Sequence, residues 1–281
     1  MATVDTSGTS PAELAKVMVG REVLSNVEKV DTIQEQVVVQ VTDLSARTDK
    51  GLPALRQVSF QIRRGEILGI AGVSGNGQKE LVEALTGTRA VTSGQYQVAG
   101  RNLTNTPPRT MLHAGVGYIP EDRLAQGVAG SLSVADNLAL GRHHHSFSRG
   151  LAIDYGAMRR HAQELVRDFD VRTPSVDVPV RSLSGGNIQK LILARELSRQ
   201  PIFLIAHQPT RGLDVGATEY VRQKLVDAKK AGVAILLISE DLDEVLDLAD
   251  RVTVLYEGHL TMAPPGADHH TIGLMMAGEK T

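Results

Sequence analysis

The chain has 281 residues, a formal net charge of −2 and no cysteine. A chain this long buries a core for one large or two modest domains. Its balanced charge gives no electrostatic case for nucleic acid as a partner, and the lack of cysteine excludes disulfides and thiolate metal sites. In chain order, short runs rich in Val, Ile and Leu predict buried strands at 37–43, 58–63 and 67–71, and polar–apolar periodicity predicts a helix at 78–86. Helices follow at 156–169 and 187–199, then a strand at 202–206, a helix at 218–231, a strand at 233–238, a helix at 241–248 and a strand at 252–256. Such alternation argues for an α/β fold built on a parallel sheet covered on both faces. The stretch 125–183 is different, mostly helical with loops, and reads as an inserted helical subdomain.

Apolar stretches such as "VAILLIS" (233–239) are too short to span a bilayer. The start, "MATVDTSGTSPAELAK", lacks the basic region and apolar core of a secretory signal, so a soluble cytosolic chain is expected. "ELAKVMVGR" (13–21) echoes "TIGLMMAGE" (271–279), with Leu14, Met18 and Gly20 matching Ile272, Met276 and Gly278. The echo is either chance or the tail of an earlier copy of the same domain.

"GIAGVSGNGQKEL" (69–81) joins a strand to a helix through Gly72, Gly75 and Gly77. Gly72 and Gly77 have the spacing of the phosphate-cradling pattern G-x-x-x-x-G-K-[ST], but Gln78 and Lys79 stand where a lysine and a hydroxyl belong. Backbone N–H groups at a helix start still favour phosphate. What is lost is the ammonium on the phosphates, since Gln78 is neutral, and the magnesium hydroxyl, since Lys79 repels a cation. One step along a helix turns a side chain by about 100°, which sends Lys79 away from the phosphates. Weak nucleotide binding and a turn kept only for the fold both remain open, with Gly72, Ser74, Gly75, Asn76, Gly77, Gln78, Lys79 and Glu80 as the candidate residues.

The loop has company. "LSGGN" (Leu183, Ser184, Gly185, Gly186, Asn187) opens a helix, the next strand runs into "HQPTRGLD" (207–214), and a later one ends "LISED" (237–241). This order resembles the nucleotide-binding domain of ABC transporters over roughly residues 35–278. "YIPEDR" (118–123), "LSGGNIQK" and "QPTRGLDVGA" look like the second half of the double-length ATPase subunits of simple-sugar and nucleoside importers. The resemblance implies a P-loop fold with a mixed sheet, residues 1–35 as the tail of a preceding nucleotide-binding domain plus linker, and residues 36–278 as the domain itself.

It also implies a decayed ATP site. His207 and Gln208 stand where the family has its magnesium aspartate and its water-polarising glutamate. Glutamine orients a water but cannot take its proton at neutral pH. Glu240 replaces the γ-phosphate histidine, and a carboxylate there repels a polyphosphate. Glu121 replaces the Q-loop glutamine, a change common in such second halves. "ARTDK" (46–50) lacks the aromatic that stacks on adenine, and Phe60 reads as strand core. LSGGN is whole by contrast: in the family's dimer it closes over the γ-phosphate held by the other domain, with Ser184 donating a hydrogen bond, although Ser184 also suits a plain helix cap. Asp214 belongs to the loop that crosses the dimer interface.

The resemblance therefore implies the degenerate half of a nucleoside or simple-sugar importer ATPase, leaning towards nucleosides. ATP and Mg2+ would sit at a composite site held mainly by the partner, with no metal site of the chain's own. Its partners would be a first nucleotide-binding domain, permease subunits contacted by the 115–140 region, and indirectly a substrate-binding protein, at the cytoplasmic membrane face. The rival readings are a free-standing ATPase using Lys79 and Glu240, and a truncated interaction protein without nucleotide. "HHH" (143–145) reads as an exposed loop rather than a metal site, and "EDLDEVLDLAD" (240–250) as a helix with a solvated acidic face and Leu242, Val245 and Leu246 inward.

Overall fold

The structure, a computed structural model, describes residues 32–142, 147–149 and 152–279. The sequence echo at 13–21 and the histidines at 143–145 lie outside the described residues. Two antiparallel strands, β1 (Val37–Arg47) and β2 (Pro53–Arg63), lead into β3 (Ile67–Ala71) and α1 (Gln78–Thr86). β4 (Val91–Val98), β5 (Arg101–Asn102), α2 (Pro108–His113) and β6 (Val116–Ile119) follow. A π-helical turn (Arg123–Gly127), α3 (Val134–Ala139), a small hairpin of β7 (Ser148–Arg149) and β8 (Ala152–Ile153), and α4 (Tyr155–Asp168) occupy the stretch expected to be mostly helical. Then come α5 (Gly185–Leu197), β9 (Phe203–His207), α6 (Val215–Lys230), β10 (Ala234–Ser239), α7 (Leu242–Leu248), β11 (Arg251–Tyr256), β12 (His259–Met262) and α8 (His269–Met276).

The central sheet runs β12-β11-β3-β10-β9-β6. Its pairings are parallel except for β12 against β11, so the sheet is mixed rather than purely parallel. A separate antiparallel sheet, β2-β1-β4-β5, covers part of it. Alternation along the strands divides the core in two. Ile67, Leu204, Ile235 and Leu237 pack with Leu191, Ile192, Leu225 and Val245 from α5, α6 and α7. Leu68, Ile70, Phe203, Ile205 and Leu236 point the other way, onto Leu81 and Leu85 of α1 and Val39, Ile62 and Tyr96 of the antiparallel sheet. Each large aliphatic side chain so buried is worth about 1.5–3 kcal/mol of transfer free energy. β3, β9 and β10 are buried at every position, as strands covered on both faces must be.

The sequence reading missed β4, β6 and β12. β4, "VTSGQYQV", is mostly polar and buries one end, while β6 has only four residues, with a glycine in the middle. The acidic run is also less solvated than expected. Glu244 is fully buried beside Val245 and Leu248, whereas Leu242 and Leu246 are only partly covered.

Candidate functional site

β3 delivers the glycine loop to α1, and Gly77 takes φ 111 at the turn, a conformation natural only for glycine. A side-chain carbon at Gly77 would also lie 2.7 Å from the Ala54 carbonyl oxygen. The loop is satisfied by its own side chains. Gln78 is buried, its Nε2 donates to the Val73 carbonyl at 2.9 Å, and its Oε1 accepts from the Asn76 N–H at 3.2 Å. The carboxamide lies so close to Gly72 that a Cβ there would be 2.5 Å from Nε2. Asn76 donates to the Val73 carbonyl at 2.9 Å and accepts from the Glu257 N–H at 2.9 Å, while its carbonyl accepts from Gly258 at 3.0 Å. Exposed Ser74 donates to the Glu240 carboxylate at the end of β10. Gly75, with φ 92, stands open at the loop tip, and Glu80 is half-buried in the first turn of α1, where the helix dipole favours an acid.

Lys79 turns outward. Its side chain is 62% exposed and its Nζ lies 3.8 Å from Oε1 of the half-buried Glu83, one turn along α1. The turn at 46–50 holds no ring, and Asp49 there pairs with Arg89 at 2.7 Å. Phe60 is buried in the antiparallel sheet, as the sequence implies. The loop's ammonium and hydroxyl are paired within this chain, Lys79 with Glu83 and Ser74 with Glu240. Two of the groups a phosphate would use, the Asn76 N–H and the Ser74 hydroxyl, are already bonded.

At the end of β9, burial pushes the His207 imidazole down to about 4, so it is neutral at pH 7. Its Nε2 is 3.7 Å from Glu121 Oε2, which for a neutral ring is a contact and not an ion pair. Glu121 pairs with Arg211. Gln208 takes φ 50 and accepts from the Glu240 N–H at 3.3 Å, so it faces the same loop end as Glu240. A neutral histidine with so low a pKa is a poor base near neutrality, and glutamine is none. Glu244 lies deeper, with Ser239 and Thr210 against its carboxyl, and burial raises its pKa. Sequence reasoning passed over it because it sits in an acidic run, although Val245 and Leu248 mark the buried side of the same helix.

The other glycine motif is open. Ser184 is the exposed N-cap residue of α5, yet among the described residues its side chain makes no cap hydrogen bond. Its Oγ accepts from Asn187 Nδ2 at 2.9 Å, leaving the hydroxyl proton free to point outward, and Asn187 Oδ1 accepts from the Arg172 N–H at 2.8 Å. Leu183 is partly covered by the main apolar cluster. Gly185 and Gly186 form the first turn of α5, and a Cβ on Gly186 would meet Asp214 Oδ2 at 3.8 Å. Asp214 caps α6 by accepting from the Ala217 N–H at 2.8 Å. The arrangement presents a helix start, a hydroxyl and an acidic loop on one surface.

A groove of about 790 Å3 lies beside the 118–126 segment, with Met111, Tyr118, Pro120 and Gln126 on its walls and Arg195 and Arg199 at one side. Among the described residues, no cluster of three or more His, Asp or Glu side chains could hold a metal ion, and no helix is long and apolar enough to cross a membrane.

The sequence profile of the family described as ABC transporter matches residues 55–211, which includes both glycine motifs. The chain belongs to the ABC transporter family. This ABC domain is 49% identical over 281 residues to the glucose import ATP-binding protein TsgD13 of Haloferax volcanii, covering 98% of this chain and 51% of that protein. It is 40% identical over 279 residues to the nucleoside import ATP-binding protein NupA of Lactococcus lactis subsp. cremoris, covering 98% of this chain and 55% of that protein. The chain thus spans about half the length of these curated relatives. A nucleotide-free ATP-binding cassette from an ABC transporter superposes with a TM-score of 0.69 at 19% identity, covering 86% of this chain and 96% of that one, which establishes the ABC fold. Both of these relatives are named as import ATP-binding proteins, one for glucose and one for nucleosides.

Proposed function

We propose that this domain is the degenerate half of an importer ATPase subunit for nucleosides or simple sugars. It lends its signature, Leu183 to Asn187, and its Asp214 loop to an ATP site held mainly by a partner domain. The observation that carries this reading is the contrast at the two glycine turns: Gln78 fills its own loop and Lys79 faces solvent, while the Ser184 hydroxyl and the start of α5 remain presented. Residues 36–278 form the domain, and residues 1–35 are the end of a preceding nucleotide-binding domain with its linker. The doubled length of the relatives supports a second such domain in the working subunit.

In this reading a short helix of a permease subunit seats in the groove beside Tyr118, and a substrate-binding protein delivers cargo to that permease. The assembly sits at the cytoplasmic face of the membrane, without nucleic acid. Glu121 borders the interface. His207, Gln208 and Glu240 do no catalytic work, and Ser184 donates to a phosphate bound elsewhere.

The test is calorimetric titration of the chain with Mg-ATP, alone and mixed with the separately made remaining half of the Lactococcus relative. Silence alone, tight binding in the mixture and its loss on Ser184→Arg support the proposal. Turnover by the chain alone makes it a motor in its own right, and silence in both makes it an interaction protein without nucleotide.

A further inference from the structure

Arg123 stands where three sequence motifs meet. It leaves the π-helical turn that begins just past Glu121, and Asp122 caps that turn by accepting from the Leu124 and Ala125 N–H groups. Its Nη1 donates to the Arg211 carbonyl at 2.8 Å and its Nη2 to the Gly212 carbonyl at 3.2 Å. A Cβ on Gly185, in the first turn of α5, would lie 3.4 Å from the same guanidinium. Glu121, two residues earlier, holds the Arg211 side chain. One short segment therefore grips the 210–214 loop by a charge pair and by two carbonyls, and it abuts the signature glycines.

The other side of this segment faces the groove. Tyr118, Pro120 and Gln126 line it, and the Gly127 carbonyl accepts from Arg195 at 2.8 Å, which anchors the turn to α5. Groove contacts at 118, 120 and 126 thus flank the loop contacts at 121 and 123. The planar guanidinium suits this place because it spans two carbonyls in a fixed fork, which an ammonium on a flexible stem does not.

We infer that Arg123 is a positioning residue: it fixes the 210–214 loop against the start of α5, so that a helix seated in the groove acts on the interface loop directly and not through this chain's own phosphate loop. The inference rests on the proposed function for what the groove and the loop contact. The tether itself belongs to this chain alone. It gives the domain a mechanical link that survives the loss of its carboxylates.

Two measurements test it. The first is hydrogen exchange on the full chain, at the amides of Arg211, Leu213 and Ala217. Arg123→Ala is expected to speed their exchange by about 5- to 30-fold, and Arg123→Lys to restore little of the protection. The second uses a chimaera in which this chain replaces the matching span of the Lactococcus relative. There Arg123→Ala and Arg211→Glu lower cargo moved per ATP hydrolysed, at an unfolding midpoint matched to the unaltered chimaera. The exchanged pair Glu121→Arg with Arg211→Glu recovers that ratio. Unchanged exchange in Arg123→Ala, or full protection in Arg123→Lys, overturns the tether. Should Arg123→Ala fail to fold, Arg123→Lys decides: full protection there overturns the tether, and faster exchange supports it. A chimaera that imports nothing without any substitution refutes the proposed function, while the exchange data still judge the tether.

Discussion

The turn before α1 and the turn before α5 are both glycine-rich, and both feed a helix start, yet they end in opposite states. Before α1, Gln78 takes up the Asn76 N–H, Glu240 takes up the Ser74 hydroxyl, and a buried carboxamide sits against Gly72. Before α5, Ser184 is exposed and makes no cap bond among the described residues. A helix N-terminus therefore offers an anion site only when nearby side chains leave its donors unspent. Glycine spacing keeps the turn, and the neighbours decide whether the turn can bind.

The difference can be broken at either end. The largest effect belongs to the open side: Ser184→Arg in the chimaera should cut ATP turnover by about 100-fold or more, the scale of losing a donor to a developing anion. A pH effect comes next, on the closed side. The unfolded chain takes up a proton on His207 near its ordinary value of about 6.5, while the folded chain does not until about 4. Below pH 6.5 the unfolded state binds more protons, so stability falls as the pH drops from about 6.5 to about 4, by about 3 kcal/mol from this group. His207→Asn, which does not titrate, should flatten that part of the curve in urea unfolding midpoints. Asn76→Ala removes two side-chain hydrogen bonds of the closed loop and should cost about 2 kcal/mol in the same assay, without creating nucleotide affinity. The smallest change is at Lys79: Lys79→Ala should alter stability by less than about 0.5 kcal/mol and leave nucleotide titration unchanged, since Lys79 is itself largely exposed and Glu83 keeps its pair with Arg89. Loss of ATP binding in that variant would return Lys79 to the phosphates and close the gap between the two turns.

Much of this was legible in the sequence because the decisive signals were local. Continuous apolar runs marked β3, β9 and β10, and one step of helix rotation was enough to turn Lys79 outward. The fold class followed from strand and helix alternation, which the mixed central sheet carries out. What escaped depended on distant partners. Arg123 closes the YIPEDR stretch, but it has no visible role there until the chain brings Arg211 and Gly212 beside it, 88 and 89 residues away in sequence. Glu244 hides among five other acidic residues of its run, and only packing against Thr210 and Ser239 distinguishes it. β4 escaped because only Tyr96 and Val98 of it are buried, so its pattern lacks the continuous apolar run that marks central strands.

One bond in the closed loop also says something about the order in which the molecule is made. Asn76 Oδ1 takes its proton donor from Glu257, 181 residues further along the chain, and Gly258 closes the same junction onto both Asn76 and Arg56. A contact across so long a separation forms only after the intervening chain has collapsed, because its loop entropy is spent before any reward arrives. On the ribosome, the glycine turn before α1 emerges ahead of the β11–β12 hairpin and waits for it. Its final shape is set by that later hairpin, so a nascent chain halted before residue 257 holds that turn without its clasp.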